Sequence, residues 1–188
     1  MTHPPNVRHN PARVALVLFA ISLFPAAVSS QPAPKVDVWE PLNYFVGSWT
    51  GTSDGQPGKG TYARTYTLAL SGKFINVTNK STYAPQEKNP KGEVHEDWGM
   101  VSYDKARRRF VLRQFHVEGF VNQYVAEPTD DPKVLRFVSE SIENIPAGFR
   151  ARETYRIVGP DEFIETFEMA EPGKDFEVYS ESRLKRIK

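Results

Sequence analysis

From Gly47 to the end of the chain, apolar and polar residues trade places at every second position, and turn residues interrupt the pattern at short intervals. That alternation is what a strand with one buried face requires, and it excludes a helical fold for most of the chain. Tyr62, Arg64, Tyr66, Leu68 and Leu70 alternate with Thr61, Ala63, Thr65, Thr67 and Ala69. Ser71-Gly72 then supplies a tight turn, and 73–83 reads as the returning strand. Further strands are predicted over 95–103, 109–117, 120–127, 134–142, 149–158, 163–169 and 176–187, with Gly159-Pro160-Asp161 the clearest turn. With the strand through Trp49 there are about ten, joined by connections too short for crossover helices. The predicted fold is therefore all-β, an antiparallel up-and-down barrel, because closure removes both sheet edges. A two-sheet sandwich is the alternative. A barrel of this size need not fill with its own side chains, so it can hold a small molecule.

The start of the chain reads differently. Arg8 and Arg13 precede an apolar run over 14–27, and Val28-Ser29-Ser30 makes a small-residue exit. This order predicts a secretory signal peptide over 1–30, a Pro-rich linker over 31–36 and one barrel domain over 37–188. The apolar run is short for a membrane span, Pro25 interrupts it, and no stable span is expected after its removal. Losing Arg8 and Arg13 with no acid moves the formal charge from +1 to −1. A nearly neutral chain lacks the electrostatic footprint of a nucleic-acid binder. There is no cysteine, which excludes disulfides and thiolate metal sites. For an exported protein, that favours a bacterial periplasm or the medium. Before the first strand, Trp39, Leu42 and Phe45 recur at helical spacing, while Pro41 restricts the helix to a turn or two. A short helical lid or plug is expected there.

Among the strands, Glu153 and Glu165 fall on faces that also carry Ala151, Tyr155, Phe163 and Phe167. A carboxylate on such a face needs a cation or hydrogen-bond donors, or it takes up a proton. The expectation is that both acids lie near the barrel rim and stay hydrated. The functional alternative is that they fix a ligand's polar head or pair with an internal arginine. His95 and His116 lie on different strands near acids, but their spacing matches no metal-ligand motif, so structural roles are expected for both. No serine stands in a nucleophile-elbow context.

Two resemblances add to this reading. Gly47-Ser48-Trp49-Thr50-Gly51 resembles the first-strand signature of calycin barrels, the lipocalin and fatty-acid-binding types. That resemblance implies that Trp49 closes one end of the barrel under an arginine of the last strand, here Arg186. With Met169-Ala170, Tyr179 and Leu184-Lys185-Arg186, the same motif also resembles nitrobindin-like haem-binding barrels. Haem-binding members of that family carry a last-strand histidine on the iron; by spacing from Met169-Ala170, Tyr179 stands there. Thr52-Ser53-Asp54-Gly55 also departs from the family's glycine alternation. Tyrosinate ligates ferric haem in catalase, but only with the phenol deprotonated by a nearby cation, for which Arg183 shares the parity of Tyr179.

The resulting expectation is an exported, non-enzymatic barrel binding an apolar or amphipathic small molecule. Glu153, Glu165, Gln114, Tyr179, Phe167 and Tyr155 are the candidate ligand-binding residues, and no cofactor is expected. One alternative is a haem barrel with redox or nitrogen-oxide chemistry through Tyr179 or His116. Another is a protein-interaction module with a filled interior.

Overall fold

Strands form where the alternation places them: β1 (Gly47–Gly55), β2 (Gly60–Ala69), β3 (Phe74–Tyr83), β4 (Glu93–Asp104), β5 (Arg109–His116), β6 (Val121–Glu127), β7 (Val134–Glu143), β8 (Arg150–Gly159), β9 (Glu162–Ala170) and β10 (Glu177–Arg186). The structure is a computed structural model that describes residues 37–188 together with Met1. The signal-peptide and linker readings lie outside the described residues. Each strand pairs antiparallel with its chain neighbours, and β1 pairs with both β2 and β10, so the sheet closes on itself. Closure rules out the sandwich. Among the described residues, no helix is long and apolar enough to cross a membrane.

One end of the barrel is packed solid. The helix α1 (Glu40–Asn43) carries Pro41 in its first turn, where a missing N–H costs nothing. It delivers Leu42 and then Phe45 into the core, 4% and 2% exposed. The Phe45 ring meets Phe163 edge-on at 5.2 Å and Tyr155 at 5.7 Å. Trp49 lies beneath, fully buried, and its indole N–H donates to the Phe45 carbonyl at 2.7 Å. Arg186 covers it, with Cζ 4.2 Å from the indole centroid. The Arg186 guanidinium donates to the Val46 carbonyl at 2.8 Å and the Tyr44 carbonyl at 2.6 Å. Both glycines of the motif have steric reasons. A Cβ on Gly51 would stand 2.0 Å from the Arg183 carbonyl oxygen of β10, and Gly47 has φ +129° with Arg186 against it.

The other end opens. The β7–β8 ladder runs from Val134–Arg156 to Val138–Arg152 and then stops. Beyond it, Ser139 Oγ accepts the Ala151 N–H at 2.9 Å in place of a backbone partner. On β10 the register with β9 shifts between Val178 and Ser180, which leaves Tyr179 in a bulge. An unbroken alternation places Val178 on the inner face; the bulge turns it outward, 57% exposed. It also breaks the parity between Tyr179 and Arg183. Arg183 points away from the interior and pairs with Glu162 at 2.9 Å.

Candidate functional site

Between the packed end and the mouth lies a cavity of about 390 Å3. Toward its mouth it is lined by apolar residues that include Phe120, Ile142, Ile145, Phe149, Phe167 and Met169, together with the exposed charged residues Glu93, Glu118 and Arg150. Its floor is ionic. Register alone brings the floor together, since Arg64 pairs across strands with Asn79, Asn79 with Asp97, and Asp97 with His116.

Glu153 and Glu165 are not at the rim. Each is only 5% exposed, because β8 and β9 point them into the barrel above the Phe163 layer. Arg64, also 5% exposed, pairs with Glu165 at 2.8 Å. Burial alone would pull the Arg64 pKa down, but the Glu165 carboxylate holds it well above its ordinary value. The Arg64 Nε–H donates to Asn79 Oδ1 at 3.1 Å, and Asn79 Nδ2 donates to Asp97 Oδ2 at 2.8 Å. With Arg64 committed to Glu165, Glu153 has no cation of its own. Burial and the neighbouring Glu165 charge raise its pKa to about 8. The Tyr155 hydroxyl donates to Glu153 Oε2.

Glu153 thus imposes a pH dependence with a definite sign. Between 4.5, its ordinary value, and about 8, the folded protein holds a proton that the unfolded chain has released. Stability contributed by the protonated group is complete below that window and falls as pH rises through it. Glu153→Gln keeps a neutral group throughout. The expected result is that wild-type melting temperature falls relative to Glu153→Gln from pH 5 to 8, the difference levelling above about 8. Parallel pH profiles would show that Glu153 ionises normally.

Toward the mouth stands a second polar group. His95 Nδ1 lies 2.8 Å from Glu118 Oε1, and its Nε2 lies 3.6 Å from Asp97 Oδ2 and 3.3 Å from His116 Nδ1. Burial pulls the His95 pKa down, but hydrogen bonds to Asp97 and Glu118 more than offset it, raising it to about 9. Burial lowers His116 to about 4 against the pull of Asp97. Phe120 stacks on the His116 ring at 4.0 Å. Three buried oxygens on this side have no hydrogen-bond partner: Asp97 Oδ1, Gln114 Oε1 and Asn122 Oδ1.

Of the six candidate ligand-binding residues, Glu153, Glu165, Gln114, Phe167 and Tyr179 line the cavity. Tyr155 does not; it lies in the packed layer beneath, 5% exposed. Reading the sequence did not single out Arg64, Asn79, Asp97 or Asn122. Two signals were present: Arg64 shares a strand face with Tyr62 and Tyr66, and the turn after β4 sets residue 116 opposite residue 97.

This fold has known counterparts. Residues 38–186 match the family described as THAP4-like, heme-binding beta-barrel domain. The chain belongs to this family. Its barrels are nitrobindin-like, so that resemblance is the correct one, and calycin kinship is looser. The crystal structure of Rv2717c from M. tuberculosis aligns at a TM-score of 0.63 and 19% identity, over 81% of this chain and 99% of that one. A de novo designed fluorescence-activating β-barrel aligns at a TM-score of 0.42 and 12% identity, over 81% of this chain and 100% of that one. No curated protein matches the chain in sequence.

Neither iron ligand suggested by the nitrobindin resemblance has a donor atom ready for haem. Burial raises the Tyr179 phenol pKa, and its charged neighbours are Glu93 and Glu118 rather than a cation. The phenol therefore stays protonated. His116 turns Nδ1 toward His95 at 3.3 Å and Nε2 toward Asn122 Nδ2 at 3.2 Å, so each ring nitrogen has a protein side chain against it where a porphyrin would have to stand. In this arrangement neither Tyr179 nor His116 presents a free donor atom to an iron porphyrin.

Proposed function

We propose that this barrel is a non-enzymatic carrier or sensor of an amphipathic small molecule, held with its polar head on the ionic floor and its apolar body in the mouth. The observation that carries this reading is that one cavity joins a buried ionic floor to a cluster of aromatic and aliphatic side chains on its more open side. The floor also favours one kind of head. Its unpartnered buried carboxylate oxygen, Asp97 Oδ1, is an acceptor whichever way the neighbouring Gln114 and Asn122 amides are turned. A head bearing hydrogen-bond donors, such as an ammonium, satisfies it; a carboxylate does not. The basic start, apolar run and small-residue exit of 1–30, with no cysteine in the chain, support export to a periplasm or the medium.

Two probes of equal chain length test the reading. Octylamine is expected to raise the melting temperature saturably, as mass action requires for a ligand of the folded state. Octanoate should leave it unchanged, and Asp97→Asn should weaken the amine effect. Equal shifts, or a preference for octanoate, would overturn the donor-head reading.

A second reading is haem binding, supported by the family's description. A haemin titration followed at the Soret band separates the two. The amphipathic reading expects no saturable shift that depends on Tyr179 or His116. A saturable shift lost in Tyr179→Phe or His116→Ala would establish the haem reading instead.

A further inference from the structure

We propose that His95, Asp97 and His116 form a site for a divalent transition metal in the wall of the cavity, with zinc as its reference ion. The inference does not depend on the amphipathic-ligand reading.

Backbone geometry places the three residues together. His95 and Asp97 are two apart on β4 and share its inner face, while His116 is the cross-strand partner of Asp97 on β5. The donor atoms lie within 4.8 Å of one another. His95 Nε2 is 3.3 Å from His116 Nδ1 and 3.6 Å from Asp97 Oδ2. Tetrahedral zinc with N and O ligands at about 2.0–2.1 Å has those ligands about 3.4 Å from one another. The two measured separations bracket that value.

The outer contacts agree. A metal-bound imidazole usually gives its other N–H to a carboxylate or carbonyl, which turns the remaining lone pair toward the ion. For His95 the outer acceptor is Glu118 Oε1, 2.8 Å from Nδ1. For His116 it is the Asn122 side-chain amide, 3.2 Å from Nε2. As placed, the amide NH2 faces that nitrogen and Oδ1 has no partner. Exchanging the amide O and N, indistinguishable by shape, lets Oδ1 accept from His116 Nε2–H and from the Tyr124 hydroxyl at 2.8 Å.

Asp97 supplies an independent sign. It is 9% exposed, and its Oδ1 has no hydrogen-bond partner. A buried carboxylate with one oxygen lacking a donor is costly, and a cation bound to that carboxylate, whose Oδ2 lies 3.6 Å from His95 Nε2, offsets the cost. Two imidazoles and one carboxylate suit zinc and other first-row ions better than magnesium or calcium. Three protein ligands also leave one tetrahedral position free for a water or a ligand atom from the cavity.

The test is titration of the full chain, stripped with chelator and bearing no histidine tag, with Zn2+ by calorimetry and with Co2+ by visible absorption. One zinc equivalent is expected at the cavity, together with a cobalt d–d spectrum of four- or five-coordinate type that zinc abolishes. His116→Ala should weaken that site at least 100-fold, and Glu118→Gln about 10–100-fold as an outer-contact loss. In the unaltered protein, the NMR signals of both the His95 and His116 rings should shift with one zinc equivalent, a readout that does not depend on any variant folding. Binding that survives His116→Ala but disappears in Glu93→Gln would place the ion at the exposed Glu93, His95 and Glu118 cluster and overturn the proposal. Ring signals unmoved by zinc would also overturn it, leaving the cluster held by a proton shared between His95 and Asp97.

Discussion

Trp49→Ala is expected to destabilise the fold by about 3–5 kcal/mol, the range for truncating a large buried aromatic residue. The side chain is fully buried, meets Phe163 edge-on at 4.8 Å and donates to the Phe45 carbonyl. Its loss would leave a void beneath Arg186, whose guanidinium is anchored to the Val46 and Tyr44 carbonyls and to Asp161 Oδ1 at 3.2 Å. These anchors keep the lid from collapsing into the void, so the cost should lie toward the upper end. Urea denaturation with an unchanged m-value is the measurement. A loss below about 1 kcal/mol would mean that the closed end repacks freely and that Trp49 does not organise it.

The second large effect belongs to Arg64. Arg64→Met is expected to cost about 3–5 kcal/mol, because it removes the cation paired with the buried Glu165 carboxylate. Glu153 beside it is another acid, its own pKa raised by burial and by the Glu165 charge, so it cannot replace the lost cation. The paired variant Arg64→Met with Glu165→Leu should recover most of that loss, since two apolar groups of similar size replace a buried pair at little cost. Denaturation of the two singles and the double would show this directly. A double variant no more stable than Arg64→Met would mean that the pair matters through Asn79 and Asp97 rather than through Glu165.

The two variants lie on either side of a boundary inside the barrel. Below it, Phe45, Trp49, Phe163 and Leu184 are packed as in any core. Above it, Arg64, Glu165, Glu153 and Asp97 are buried charged or titratable groups lining a space. Buried ion pairs contribute little net stability compared with apolar packing. Their presence here supports the proposal that the floor is the ligand-binding part, with the packed end as its support.

Much of this was readable from the chain. Alternation from Gly47 onward, short turns and the absence of room for helices led to a closed antiparallel barrel. Pro41 and the Trp39, Leu42, Phe45 spacing led to a short plug. Two glycines around Trp49 were informative because each removes a side chain that β10 would otherwise strike. Period-two logic failed at the β10 bulge, where one extra residue turned Val178 outward and separated Tyr179 from Arg183. A bulge leaves the strand sequence looking regular, so only pairing with β9 reveals it.

The site was harder to read, for a related reason. Alternation states which residues share a face, and it placed Glu153 and Glu165 on the apolar faces of their strands. It does not state how far along the barrel axis a residue lies, and that decides between a hydrated rim and a buried floor. Strand stagger and the depth of the Phe45 plug set that height, and both arise only on closure. The same holds for the grouping of Arg64 with Glu165 and of His95 with His116. The sequence by itself determined the strands and, outside the β10 bulge, their faces, because local periodicity and steric limits act over a few residues. The closed end was what the Gly47–Gly51 resemblance implied. Only the tertiary structure decided which polar groups meet, because in a closed barrel cross-strand register, rather than chain distance, sets the neighbours of each buried charge.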